Sequence, residues 1–421
     1  MDQQLTNGLQ KLKWRRILPW LHLFSAFRLG LNFSKILLAV AGLLLLNVGN
    51  ILIEYLPFAA EHDAHLVTPW STGRIGIWGN PADVIVQDVK IILRPFRDLT
   101  GAITILCFGS NLTWEQIAYA TTKFLWALGV WSLFAGAITR ISAVQFARDE
   151  SPGMLQALRF SFGHYLSLFS APLLPLAGFI VFMLLCLLAR LVIGIPMLGQ
   201  PLVGIFWFIP ILFGVLMTLI FFGVVAGWPL MLPVISTEGS DAFDGFSRSY
   251  SYLYNGIWRY VWLLICAALY GVVIVIVSTT FINLVVHFTT RPTIPGTDVT
   301  MLVKNHFEMI LTERFDADWS LMMNDLSGSQ KLMFNLVDSW LHVLALLLVG
   351  FFVSYFWTAW TIIYFLLRQA DDGVALDQVY LSPEQEEQDA LLPLVGVADS
   401  DQPIIEKPVS EELDESNAES Q

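Results

Sequence analysis

The histidines and carboxylates are the first place to look for chemistry. Glu61-His62-Asp63-Ala64-His65 sets two imidazoles three residues apart, and on a helix His62 and His65 would share one face. A zinc site needs three or four such ligands, and a helical pair that holds it is usually spaced His-Glu-x-x-His. The sequence places no third ligand, so this weak metal candidate reads as a solvated polar loop. His164 and His306 are isolated. No Gly-x-Ser-x-Gly nucleophile turn, phosphate-cradling Gly-x-x-x-x-Gly-Lys loop or dinucleotide fingerprint is present. The expectation is a non-enzymatic protein without a cofactor.

The most specific pattern is a repeat between two connections at a spacing of 88 residues. The first reads Glu150-Ser-Pro-Gly-Met-Leu-Gln-Ala-Leu-Arg-Phe-Ser161 and the second Glu238-Gly-Ser-Asp-Ala-Phe-Asp-Gly-Phe-Ser-Arg-Ser249. Glu150 pairs with Glu238, Ala157 with Gly245 and Ser161 with Ser249, while Arg159 sits one position earlier than Arg248. At helical spacing each makes an amphipathic elbow. Its apolar side enters the membrane interface, its carboxylate favours the helix N-terminus, and its arginine snorkels to phosphate or pairs with a carboxylate. Glu150, Arg159, Ser161, Glu238, Arg248 and Ser249 are therefore the candidate interface residues. The elbow either re-aims the chain between two spans or recognises lipid headgroups or a protein partner.

The elements that carry these elbows are dictated by composition. Of 421 residues, 56% are hydrophobic and 14% charged, far below the roughly 25% charged of soluble domains. The apolar residues come in blocks of about 20, the length that crosses a hydrocarbon core about 30 Å thick. This predicts an all-α polytopic fold with about six transmembrane helices, near 33–55, 113–147, 166–193, 203–231, 258–288 and 340–367, in a membrane domain over 33–368. Residues 1–32 form a basic interfacial segment whose 9–30 lie on the membrane, and 57–112 and 289–337 form outer segments. Residues 369–421 form an acidic disordered tail. Thr113-Trp-Glu-Gln116 reads as a capping box, Ser151-Pro152 as a helix start, Asp241 with Asp244 as another. Pro210 kinks the fourth span, and Pro229 and Pro233 help to end it. Trp126, Trp207, Trp228, Trp258, Trp340 and Trp360 fall near span ends, as interfacial aromatics do. Glu54, Lys123, Arg140, Arg190, His287 and Asp338 also fall near ends, where snorkelling explains them.

The net charge of −12 belongs to the tail. Asp371 to Glu419 hold 15 of the 35 acidic residues against Lys407 alone, which leaves residues 1–370 at a net +2. No basic stripe suggests nucleic acid. The six basic residues in 1–35 favour a cytoplasmic N-terminus, and an even span count puts the C-terminus there too. Cys107, Cys186 and Cys266 are too scattered for a disulfide framework.

The elbows resemble the membrane domain attached to glycerophosphodiester phosphodiesterases and related bacterial multi-pass proteins, whose inner connections follow an E-G-x-x-x-x-A-L-x-R-S-type pattern. Glu238, Gly239, Arg248 and Ser249 match it in one copy, and Glu150, Ala157, Leu158 and Ser161 in the other; Gly245 replaces the usual alanine. The resemblance covers roughly residues 115–290 and implies a membrane architecture in a bacterial inner membrane. It carries over no reaction, because nothing in the chain looks like the catalytic barrel. The expected partners are membrane lipids and a cytoplasmic protein that meets the elbows or the acidic tail. The alternative is a permease-like transporter of a neutral or lipidic molecule, with spans two-three and four-five as parallel repeats.

Overall fold

The computed structural model describes residues 18–57, 106, 112–293 and 328–380, and the backbone of two short strands at 394–397 and 403–406. His62 and His65, most of both outer segments and residues 1–17 lie outside the described residues. A 3₁₀ turn, Pro19–Phe24, leads into α1 (Ser25–Gly30) and α2 (Phe33–Glu54). Then come α3 (Trp114–Arg148), α4 (Met154–Gly163), α5 (Tyr165–Ser170), α6 (Leu173–Ile193), α7 (Gly199–Ile205) and α8 (Phe208–Glu238). Finally come α9 (Ala242–Asn255), α10 (Ile257–Thr293) and α11 (Gly328–Asp371). Among the described residues, six segments are long and apolar enough to cross a membrane: α2, α3, α5 with α6, α8, α10 and α11. The protein is an all-helical, multi-pass membrane architecture in its helical body.

Alternation of the spans follows from contacts at one end of the bundle. Lys35 at the start of α2 meets Ser142 near the end of α3 and Thr358 in the second half of α11. Thr139 of α3 meets Ser236 near the end of α8, and Arg259 at the start of α10 pairs with Asp371 at the end of α11. The starts of α2 and α10 and the ends of α3, α8 and α11 thus share one end, which carries both elbows. We call it the elbow end, and its opposite the loop end.

Helix starts obey local rules where no neighbour competes. Thr113 and Gln116 form the reciprocal capping box, with bonds of 3.3 and 3.1 Å, and Asp241 accepts from the Asp244 amide at 2.9 Å to open α9. Ser151 does not cap α4, which opens on Gly153. Its hydroxyl instead accepts from the side-chain amides of Gln145 at 2.6 Å and Asn32 at 2.9 Å, which tie α2 and α3 to the loop.

The core lies at the elbow end. Gly350 to Arg368 of α11 are buried without a break, as expected for a helix surrounded on every side. Trp357 is its centre, with ring centroids 6.2 Å from Trp131 of α3 and 5.5 Å from Trp228 of α8. Trp228 and Trp360 are therefore core residues, whereas Trp207, Trp258 and Trp340 are exposed as interfacial residues would be. Close approach of α2 to α3 depends on Gly49, where a Cβ would stand 1.8 Å from the Trp126 indole nitrogen.

Further expectations change. α8 does not end at Pro229 or Pro233 but continues to Glu238. Its residues from Gly227 to Thr237 are buried by neighbouring helices, and this packing outweighs the two missing backbone donors. The described part of the basic N-terminal segment packs one face into the bundle. Leu23, Ala26 and Leu29 are buried, Ser354 donates to the Gly30 carbonyl at 2.8 Å, and Phe24 packs edge-on against Tyr270 at 4.8 Å. The tail does not begin at 369, since α11 runs to Asp371 and Tyr252 donates to Asp372. Farther along, Leu394–Val397 and Pro403–Glu406 pair as antiparallel strands, Leu394 opposite Glu406.

Candidate functional site

Both elbows fold back along the span that precedes them. In the first, Ala157 and Ser161 are the buried side of α4, and Ser161 donates to the Leu133 carbonyl of α3 at 2.7 Å. Gly136 makes room, since a Cβ there would stand 2.4 Å from the Ser161 hydroxyl. In the second, Gly245 lies against Ile235 of α8, and Tyr250 covers Gly223 and Gly227 while donating to the Ile220 carbonyl at 3.0 Å. Tyr254 extends the same seam by donating to the Leu219 carbonyl at 2.7 Å. The small pairs Ala157/Gly245 and Ser161/Ser249 are thus all buried, at the predicted spacing. Ser249 differs from Ser161 in bonding its own Gly245 carbonyl, at 2.6 Å.

The paired glutamates are not equivalent. α3 ends at Arg148 with Asp149 in the left-handed region (φ 56°), whereas α8 ends at Glu238 with Gly239 there (φ 63°). Residues 149–153 link the first hairpin and 239–241 the second, so Glu150 falls in a loop and Glu238 on a helix end. Among the described residues Glu150 pairs with Arg148, at 3.6 Å, with both groups in reach of solvent. Glu238 is the hub of the second elbow. Arg248 of α9 pairs with one of its oxygens, Tyr364 of α11 donates to the other, and Arg368 stands 3.7 Å away. Burial opposes the charge on Arg248, but Glu238 together with Tyr364, Tyr252 and Asp244 outweighs it and holds the pKa above the ordinary value. Arg159, its near-counterpart in the first elbow, is exposed.

The same end contains a buried polar layer that the sequence reading passed over. Lys35 is fully buried (0% exposed); its ammonium nitrogen donates to Ser142 at 3.1 Å and Thr358 at 3.2 Å, and those two hydroxyls are 3.0 Å apart. Among the described residues no carboxylate faces it. Arg140 does not snorkel: it is 2% exposed, donates to the Ser236 carbonyl at 3.1 Å and lies 4.4 Å over the Phe160 ring of α4. Beside it the Thr139 and Ser236 hydroxyls are 2.7 Å apart. One signal for Lys35 was legible, because Lys35, Gly42 and Gly49 recur every seven residues and all lie on the buried face of α2.

A lysine within 3.1 Å of a serine has the spacing of a nucleophile and its base. The surroundings give it another role. Ser142 donates its hydroxyl hydrogen to the Ile138 carbonyl at 2.8 Å, and Lys35, Ser142 and Thr358 are all sealed from the surface. The Ser142 oxygen therefore has its proton engaged and no open side toward a substrate. The triad joins three helices through hydrogen bonds, as polar groups do between spans. Among the described residues, no group of three or more His, Cys, Asp or Glu lies together as a metal site would require.

Compared with family profiles, with curated proteins and with solved structures, the chain matches none.

Proposed function

We propose that this chain is a non-enzymatic organiser of the bacterial inner membrane, with its elbow end on the cytoplasmic side and the elbows as its lipid-contacting surface. The carrying observation is the outward face of the first elbow. Leu155 and Phe162 of α4 are exposed by 76 and 74%, and with Arg159 they follow the spacing i, i+4, i+7 along one stripe, which exposed Leu166 at the start of α5 extends. An apolar stripe with one guanidinium is suited to lie in the headgroup boundary, with the arginine at phosphate level. Phe243 and Trp258 give the second elbow a similar outward character. The resemblance to the phosphodiesterase-associated membrane domain implies only the membrane architecture in which the elbows sit.

Spin labels at Leu155→Cys and Phe162→Cys, in a variant whose three native cysteines are replaced, test this in reconstituted bilayers. Collisions with dissolved oxygen should exceed those with a polar nickel chelate. The reverse order would show a water-facing elbow and defeat the proposal.

A permease for a neutral or lipidic molecule is the second reading, and it draws on the buried polar row of Lys35, Ser142 and Thr358, since ionisable groups inside spans often mark a path. The unbroken burial of α11 at the same level favours the organiser. Labelling of Thr358→Cys by a membrane-impermeant thiol reagent would reverse that preference.

A further inference from the structure

Arg190 is the single charged residue between His164 and Glu238, in a stretch whose other polar groups are neutral. It sits in the last turn of α6, near the loop end, is exposed, and makes no hydrogen bond or ion pair with any described residue. A guanidinium at the membrane is costly unless an anion or water meets it.

Two apolar depressions flank the helix that carries it. One runs beside Arg190 over Val181, Leu184, Leu188 and Leu191 of α6. The other lies between α6, α7 and α8, lined by Leu185, Val192, Val203, Phe206, Pro210 and Phe213. Leu185 belongs to both and forms the ridge between them. From Leu191 to Val181 the first depression descends about 15 Å at 1.5 Å per residue. That is half of a hydrocarbon core about 30 Å thick, the depth of one leaflet. Both depressions extend from the level of Arg190 toward the middle of the membrane, because α6 runs from the elbow end to the loop end.

We propose that Arg190 and these two depressions form a binding site for one two-chain phospholipid of the leaflet at the loop end. The headgroup phosphate accepts the guanidinium's paired N–H donors, and one acyl chain lies in each depression. The site is at the opposite end from the elbows, so its failure leaves the elbow reading untouched.

Native mass spectrometry of the full chain, delipidated in detergent and titrated with dioleoyl phosphatidylglycerol, tests the site. Wild type should hold one more tightly bound lipid than Arg190→Gln, whose exposed position leaves folding intact, and than Val203→Trp, which fills the second depression. A one-chain lysophosphatidylglycerol should bind at least tenfold more weakly, and millimolar inorganic phosphate should displace neither. Equal lipid counts in wild type and Arg190→Gln would overturn the site. Equal binding of the one-chain lipid would overturn the two-chain assignment, and displacement by inorganic phosphate would reduce the site to a simple anion contact.

Discussion

Glu238, the last residue of α8, accepts the phenol hydrogen of Tyr364 on α11 and so joins the end of the fourth span to that of the sixth. Arg248 and Arg368 complete the cluster from α9 and α11. Removing a partner from a buried charged group costs about 3–5 kcal/mol, and Arg368 is 5% exposed. Glu238→Ala should therefore lower the thermal midpoint of the detergent-solubilised protein strongly. Arg248→Ala, at a position 43% exposed, should cost about 1 kcal/mol or less. Glu150→Ala should leave the midpoint unchanged, and an equal loss at Glu150 would contradict the inequivalence of the two glutamates.

The Lys35 triad predicts a coupling of opposite sign. Thr358→Val leaves the buried amine with one acceptor fewer, at a cost of about 1–3 kcal/mol. Lys35→Met, which fills the same volume without a charge, should hold or raise the midpoint, and Lys35→Met with Thr358→Val should be more stable than Thr358→Val alone. Additive losses in that double-mutant cycle would show that the amine and the hydroxyl do not interact.

Glycine 223 sets the depth of the second elbow. A Cβ there would stand 2.3 Å from the Tyr250 ring, whereas at Gly227 it would make ordinary contact at 3.7 Å. Gly223→Ala should cost about 1–3 kcal/mol by overpacking, and Gly227→Ala much less. Adding Tyr250→Leu to Gly223→Ala should restore part of the loss. Thermal unfolding of wild type and these three variants separates the outcomes.

Alkaline pH should weaken the clip between α9 and the start of the tail. Burial raises the Tyr252 pKa above its ordinary value, and the hydrogen bond to Asp372 adds to this. A phenol that keeps its proton longer when folded contributes stability in full below the unfolded pKa of about 10, and loses it progressively as pH rises above that value. Denaturation between pH 9 and 11.5 should show stability falling in wild type, with a shallower fall in Tyr252→Phe. Identical slopes would remove Tyr252 from the alkaline transition.

Much of the architecture was legible because lipid makes it so. Each span must satisfy its own backbone, so length and apolarity mark α2, α3, α6, α8, α10 and α11 directly. The Thr113 box and the Asp241 cap are local signals and hold. The repeat marked Ser161 and Ser249 as interface candidates, whereas both are buried with Ala157 and Gly245 on the inner side of the elbows, where small residues let helices touch.

The sequence by itself determined the six apolar segments found among the described residues and the helical elbows between them, all of which depend on residues near one another in the chain. Only the tertiary structure decided that Glu238 is a hub while Glu150 is not, that α8 runs through two prolines, and that Lys35 and Arg140 are sealed inside. Each of those depends on groups brought from distant parts of the chain, such as Thr358 for Lys35 and Tyr364 for Glu238, separated by 323 and 126 residues. A buried charge is tolerable only where such partners converge, and sequence spacing does not report that convergence.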